Sequence, residues 1–194
     1  MRLWCAVRKP VAHEWEARNE RACFQNDCQR AMFGQAVTDE CCLEGMTSAS
    51  IMVDIEKCFE HLDHQQLIHE ASATGFPLHM LRLLLNVYRA ERRLVVEGCL
   101  SAPVRVHKGI LAGCHFATML LRMYLLKAVD AIAVPVLGCR VTPRVVVDDV
   151  SIQVVGTTDV VIDTLSGLAC KLGTELVQKR LPLSKTKTIV VASK

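Results

Sequence analysis

Thirteen residues constrain the fold more than any others in this chain. From Arg144 to Gly156, two β-rich apolar runs meet at a pair of adjacent aspartates, Asp148 and Asp149. Val145 to Val147 reads as one strand. Val150 to Val155 reads as the next, with Val150, Ile152 and Val154 alternating against Ser151 and Gln153. The two acids then fall at the tip of a tight hairpin. Adjacent like charges raise each other's energy unless a cation neutralises them, and hard Mg²⁺ suits carboxylate oxygens. Asp is also ordinary turn chemistry, so the pair alone leaves both readings open. A third acid, Asp54, closes another apolar run, Ile51-Met52-Val53.

The surroundings of Asp54 narrow the choice. Asp54, Lys57, Phe59, His64 and Leu67 form a spaced set over 14 residues. The set resembles motif A of reverse transcriptases of the non-long-terminal-repeat retrotransposon and group II intron type, D-x-x-K-A-F-D-x-V-x-H-x-x-L. Cys58, Glu60 and Leu62 depart from it. Lys108-Gly109-Ile110-Leu111-Ala112-Gly113-Cys114-His115 resembles motif B, R-G-x-x-Q-G-C-P, with both glycines and the cysteine in place. Val146-Val147-Asp148-Asp149 resembles motif C, Y-A-D-D. Lys185-Thr186-Lys187, within Leu181 to Val191, resembles the core of motif D. The motifs keep the family's order, and the resemblance spans roughly Ser48 to Ser193.

The resemblance implies an α+β fold, a polymerase palm-like antiparallel sheet backed by helices. It divides the chain into a partial, fingers-like helical segment over 1–47 and a palm-like domain over 48–194, with no thumb. It implies an RNA-directed DNA polymerase working with two Mg²⁺ or Mn²⁺ ions about 4 Å apart. Asp54, Asp148 and Asp149, with the backbone carbonyl of Ile55, are the implied metal ligands. Lys185 is the implied donor of a proton, or of positive charge, to the leaving pyrophosphate. Phe59, Lys57, Gly113 and Ala112 are the implied substrate contacts. Phe59 would exclude a 2′-hydroxyl by size, unless it is a plain core aromatic. Gly113 would let backbone approach the template or incoming base. RNA template, DNA primer and deoxynucleoside triphosphates are the implied partners. Ala112 stands where the family keeps Gln, and Val146 where it keeps Tyr, so a catalytically impaired remnant that only binds RNA or RNA–DNA hybrid is the alternative. An unrelated metal-dependent phosphotransferase or nuclease is a third reading, which the motif order disfavours.

Charge is uneven along the chain. Residues 31–70 carry one Lys and eight acids, whereas 71–108 carry six basic and two acidic residues, and 171–194 six basic and one acidic. An acidic, cation-binding centre beside basic segments suits a nucleic-acid polymerase, although charge runs are often solvated helix faces. The ten cysteines include no CxxC pair and no zinc-finger spacing, which points to a reducing, intracellular setting, nucleus or cytoplasm. Arg122 and Lys127 interrupt the best membrane-span candidate, so no membrane association is expected. His61 and His64 have spacing that metal ligands use, but the motif reads His64 as structural.

Periodicity and punctuation predict the elements. A charged helical stretch covers 11–45, with Pro10 near its start. A strand runs from Ser48 to Ile55. A helix over 61–74 stops at Gly75, and Pro77 opens another to about Ala90. Leu94–Glu97 and Val104–His107 read as paired strands. A helix covers 115–131, a strand Val136–Val141, a helix 158–179, and a strand Thr188–Val191.

Overall fold

The structure, a computed structural model, describes residues 2–24, 35–36, 38–42, 44–111 and 113–193. The chain forms two compact units, each assembled from two stretches: Met1–Asn19 with Lys57–Tyr124, and Glu20–Glu56 with Leu125–Lys194. The boundary expected at 47/48 was one of resemblance; compactness divides the chain at other points.

The first unit is mainly helical. It holds α1 (Arg2–Arg18), α2 (Cys58–His61), α3 (His64–Ala73), α4 (Leu78–Tyr88) and the start of α5 (Ala117–Ile132). Asp63 caps α3, its Oδ1 accepting from the amides of Gln65 at 2.8 Å and Gln66 at 3.0 Å. Gly75, at φ 68°, then supplies the left-handed residue that ends the helix. Pro77 caps α4, which buries Met80, Leu81, Leu84, Leu85 and Tyr88 along one stripe. The N-terminal helix differs from expectation: it starts before Pro10, carries that proline inside it, and stops at Arg18. An internal proline removes a backbone bond and costs about 3 kcal/mol. Burial of Cys5, Ala12 and Trp15 offsets that loss. The Trp15 indole N–H donates to the Thr74 carbonyl at 2.9 Å, and its ring meets Phe76 edge-on at 5.3 Å. Residues 25–34, the middle of the predicted helical stretch, lie outside the described residues.

The pairing of 94–97 with 104–107 is also corrected. β2 (Val95–Val96) pairs with β3 (Cys99–Leu100) through a two-residue turn, Glu97-Gly98, both at positive φ (49° and 80°). A turn of that kind matches the natural strand twist, and it closes before a six-residue loop is needed. Only an isolated bridge, Arg92 with Val104, remains of the longer pairing.

The second unit carries a four-stranded antiparallel sheet in the order β4-β5-β1-β6. The strands are β1 (Thr47–Asp54), β4 (Cys139–Val146), β5 (Asp149–Gly156) and β6 (Ile189–Ala192). Opposed residues share a face, so Val53 with Val150, Ile51 with Ile152 and Ala49 with Val154 make an apolar side. α6 (Thr158–Gln178) packs on β1 and β5 and buries Val161, Leu165, Leu168, Leu172 and Leu176. Each fully buried aliphatic side chain of this kind contributes about 1.5–3 kcal/mol. The fold is therefore α+β, an antiparallel sheet backed by helices.

β4 runs unbroken through Pro143, where the sequence predicted two pieces. β4 is an edge strand. Val145 turns its N–H away from β5, toward the Cys23 carbonyl at 2.7 Å. Pro143, two residues earlier, has the same orientation, so its missing N–H faces the open edge and the sheet loses no bond.

α5 is buried nearly all round, and its Arg122 is neutralised by Glu16 at 2.6 Å. Among the described residues no helix is long and apolar enough to cross a membrane.

Candidate active site

Three acids lie at one end of the second unit's sheet. Asp54, the last residue of β1, lies opposite Asp149, the first of β5. The Asp54 carbonyl accepts from Ser184 N–H at 2.9 Å, on the side away from β5. Asp54 and Asp149 are therefore a non-hydrogen-bonded pair, the closer kind, with Cα atoms about 4.5 Å apart. Asp148 occupies the turn between β4 and β5, beside Val147. Val147 has φ 58°, the left-handed region that a β-branched residue rarely enters. Strain of this kind costs about 1–3 kcal/mol and gathers at functional sites.

The electrostatics follow from that crowding. The Asp149 carboxyl is held above the usual carboxylate range, by desolvation first and then by repulsion from Asp148 and Asp54. Lys187 opposes the shift. Its Nζ lies 3.5 Å from Asp54 Oδ1, with the lysine side chain 70 % exposed and Asp54 27 %. An ion pair so open to water contributes about 0–1 kcal/mol.

A strap fastens this lysine in place. Glu56 N–H donates to the Pro182 carbonyl at 2.9 Å, Ser184 N–H to Asp54, and Ile55 bridges Leu183 between them. Neither bond uses the Ile55 carbonyl. Lys185, on the same strap, is exposed, and the acid contact belongs to Lys187 instead. The Lys-Thr-Lys resemblance had pointed to Lys185 and had given Lys187 no role.

The other sequence-derived residues lie in the first unit. Lys57 is exposed and sits at φ 46° as the cap of α2. Phe59 is half-buried, whereas its neighbours Cys58 and Leu62 are fully buried and anchor the turn. Gly113 is exposed at φ 80°, with nothing within 4 Å of the place a Cβ would take. Ala112 lies outside the described residues. Gly109 is the close-packed glycine: at φ 86°, a Cβ there would meet the Glu60 carbonyl oxygen at 2.9 Å. The two motif segments are further tied by Ile110 N–H to the Phe59 carbonyl at 2.8 Å and Gly109 N–H to Leu62 at 2.7 Å.

His64 is structural. Arg89 Nε donates to its Nδ1 at 3.3 Å, which leaves Nε2–H to donate to the Gly109 carbonyl at 2.7 Å. Burial holds its pKa below the usual histidine value. Cys114, matched in motif B, accepts from the buried Tyr88 hydroxyl at 3.0 Å.

Sequence reasoning missed one further polar group. Gln153, expected to face water, is buried, and its Oε1 accepts from Thr38 Oγ1 at 3.0 Å and Arg144 Nη2 at 3.1 Å. It shares a face with Asp149, and this face opens into a groove of about 350 Å³.

Carboxylate oxygens are the donor type that a hard divalent cation takes, and Asp54 and Asp149 are paired to offer them. Among the described residues, however, no three His, Cys, Asp or Glu side chains are grouped closely enough to hold an ion. All described cysteines are free.

Comparison with known proteins places the fold. Over 97 % of its length the chain superposes on telomerase from Candida tropicalis: TM-score 0.71 for the apo form truncated from the C-terminal domain, 0.72 for the complex with a telomeric RNA fragment. Telomerase from Candida albicans, with a telomeric RNA fragment, gives 0.66 over 98 %. Identity is 12–13 %, so the likeness is one of fold, and the chain spans 33–40 % of those chains. In sequence, 77 residues, 39 % of this chain, are 31 % identical to an uncharacterized 149 kDa protein of transposon TX1 from Xenopus laevis. The match covers 6 % of that protein. No protein-family model matches.

Proposed function

We propose that the chain is the catalytic region of a retroelement reverse transcriptase, of the non-long-terminal-repeat or group II intron type. It would extend a DNA primer on an RNA template with deoxynucleoside triphosphates, in the nucleus or cytoplasm. The observation that carries this reading is the register that sets Asp54 against Asp149 beside the turn holding Asp148. Support comes from the fold shared with telomerase, itself a reverse transcriptase, and from the transposon relative.

Two Mg²⁺ or Mn²⁺ ions, when bound, would supply the acidity of the primer hydroxyl and the neutralisation of the leaving pyrophosphate. The protein's part is to concentrate negative charge. Asp54 and Asp148 offer carboxylate oxygens, with Asp149 as the third acid and the Ile55 carbonyl turned out of the strap's bonds. Lys185 and Lys57 are cations for substrate phosphates. Half-burial leaves part of the Phe59 ring available as the floor of a deoxyribose pocket. Gly113, with open space around its Cα, permits close approach of a base or backbone, and Ala112 follows it in that role by position.

One observation favours a second reading. The acids are not drawn together as a three-ligand group, and Lys187 stands against Asp54. A remnant that binds RNA or RNA–DNA hybrid without catalysis would look like this. Primer extension on RNA with Mg²⁺ or Mn²⁺ separates the two. Extension by the wild type, lost in a folded Asp148→Asn variant, is the expected result. Salt-dependent hybrid binding without extension assigns the chain to the remnant reading.

A further inference from the structure

A half-buried cation lies on the face of the second unit's sheet that carries Gln153. Arg144 of β4 lies opposite Ser151 of β5, and Ser151 opposite Met52 of β1. On the next rung of that face, Gln153 lies opposite Ser50, and Ser50 opposite Val191 of β6. These six residues line the groove of about 350 Å³, and every described residue lining it belongs to this unit. A volume of that size accepts a small ligand.

The guanidinium is fixed but not neutralised. Its Nη2–H donates to Gln153 Oε1 at 3.1 Å, and that oxygen also accepts from Thr38 Oγ1 at 3.0 Å. Gln153 is itself buried, so the fork is held before any ligand arrives. A guanidinium carries five N–H donors. Gln153 is the acceptor they meet among the described residues, and no described carboxylate pairs with them. Asp39, the acid of the groove, accepts from Gln35 Nε2 at 2.8 Å instead. Burial, and then the charge of Arg140, hold Arg144 below the usual arginine range, so an added anion would stabilise it.

The lining also selects among anions. The Ser50 and Ser151 hydroxyls are further donors in the groove. Met52 and Val191 give it an apolar wall. Asp39 disfavours a second negative charge. A planar carboxylate matches a guanidinium fork with two parallel bonds, and an apolar body would cover the wall.

We propose that this groove binds a small organic monocarboxylate, its carboxylate on Arg144 and its apolar body against Met52 and Val191. The site rests neither on the acids nor on the polymerase reading.

The full chain is titrated with benzoate and followed by ¹H–¹⁵N NMR at the Arg144 Nε–H, the Gln153 side-chain amide and the backbone amides of Ser50 and Ser151. Saturable binding in the millimolar range is expected, the scale open to so small a ligand. Arg144→Gln weakens it about tenfold or more, and Arg144→Lys less, since the charge remains and the fork does not. Arg140→Gln changes it less than about twofold. Benzamide, neutral and of the same shape, leaves these signals in place. Circular dichroism checks the fold of each variant. Absence of saturable benzoate binding by folded wild type overturns the proposal. Equal binding of benzamide and benzoate by wild type, a comparison that needs no folded variant, also overturns it. Equal weakening by Arg140→Gln assigns the binding to net charge and does the same. Tighter binding of inorganic phosphate, or displacement of benzoate by an RNA–DNA hybrid, gives the groove to phosphate and overturns the carboxylate.

Discussion

Among the described residues the chain makes two hairpins with two-residue turns, and they solve the same geometric problem in opposite ways. Between β2 and β3, Glu97-Gly98 places a glycine at φ 80°, where no side chain suffers. Between β4 and β5, the turn residues are Val147-Asp148, and the valine takes φ 58°. Glycine or asparagine would fit the second turn better on conformational grounds alone. The first turn joins strands that are exposed throughout and only has to reverse the chain. The second must hold an acid at a fixed place against a buried sheet, and the sheet supplies enough packing to tolerate the strain. Turn chemistry thus reports backbone convenience in one hairpin and, on the proposed function, site construction in the other.

The largest way to break this contrast is chemical. Asp148→Asn should lower primer extension by about a thousandfold, because stabilisation of reacting charge is worth several kcal/mol. Replacing Glu97-Gly98 by Asn-Gly should leave the rate unchanged. Single-nucleotide extension assays, normalised to folded protein, measure both. Should the two turns respond alike, the second hairpin would have no catalytic role.

Next in size is the conformational test. Gly98→Val should destabilise its hairpin by about 2 kcal/mol, since left-handed backbone is penalised for a side-chain-bearing residue. The effect is local, so the readout is hydrogen exchange at the Ser101 amide, which donates to the Leu94 carbonyl at 2.9 Å. Val147→Gly should act in the other direction. Relief of strain exceeds the entropy that glycine loses on folding, for a net gain of about 1 kcal/mol. A thermal melt suffices here because β4 and β5 belong to the main sheet.

The smallest effect is electrostatic and sharpens the picture of the second turn. Asp149 is held above the usual carboxylate range, so the folded state binds its proton more tightly than the unfolded chain does. Stability is then greatest below the ordinary aspartate value of about 3.9, and it declines as pH rises from there through the raised value. Asp149→Asn should lessen that decline in chelator-treated buffer and raise the melting temperature at neutral pH. Parallel melts of wild type and variant across the acid range isolate it.

Much of this was legible in the sequence where burial imposes a period. α6, α4, β1 and β5 fall within a few residues of their predicted bounds, because alternation or a helical stripe records a packed face. The partnership of Asp54 with the Asp148-Asp149 turn was legible through spaced motif residues. What escaped had no period to betray it. Pro143 reads as a break, and only the direction its N–H would take shows that an edge strand accepts it. Gln153 alternates like a solvent-facing residue, yet Thr38, more than 100 positions away, covers it. Gly109 and Gly113 look equivalent in the motif, but only Gly109 has a backbone pressed against it. Lys185 and Lys187 differ only through the strap's path.

The two borders of the sheet have unlike futures. Along β4, Pro143 offers no donor and the Val145 donor is already taken by Cys23, so an approaching strand finds a broken ladder. Along β6, Ile189, Val190 and Val191 are 47–65 % exposed, with no proline among them. The two borders are therefore unlike, as two faces of a crystal are: β4 is already met at Val145 by Phe24, and β6 presents an unbroken run of exposed residues. A strand added beyond β6 would widen the sheet on the border away from β4 and β5.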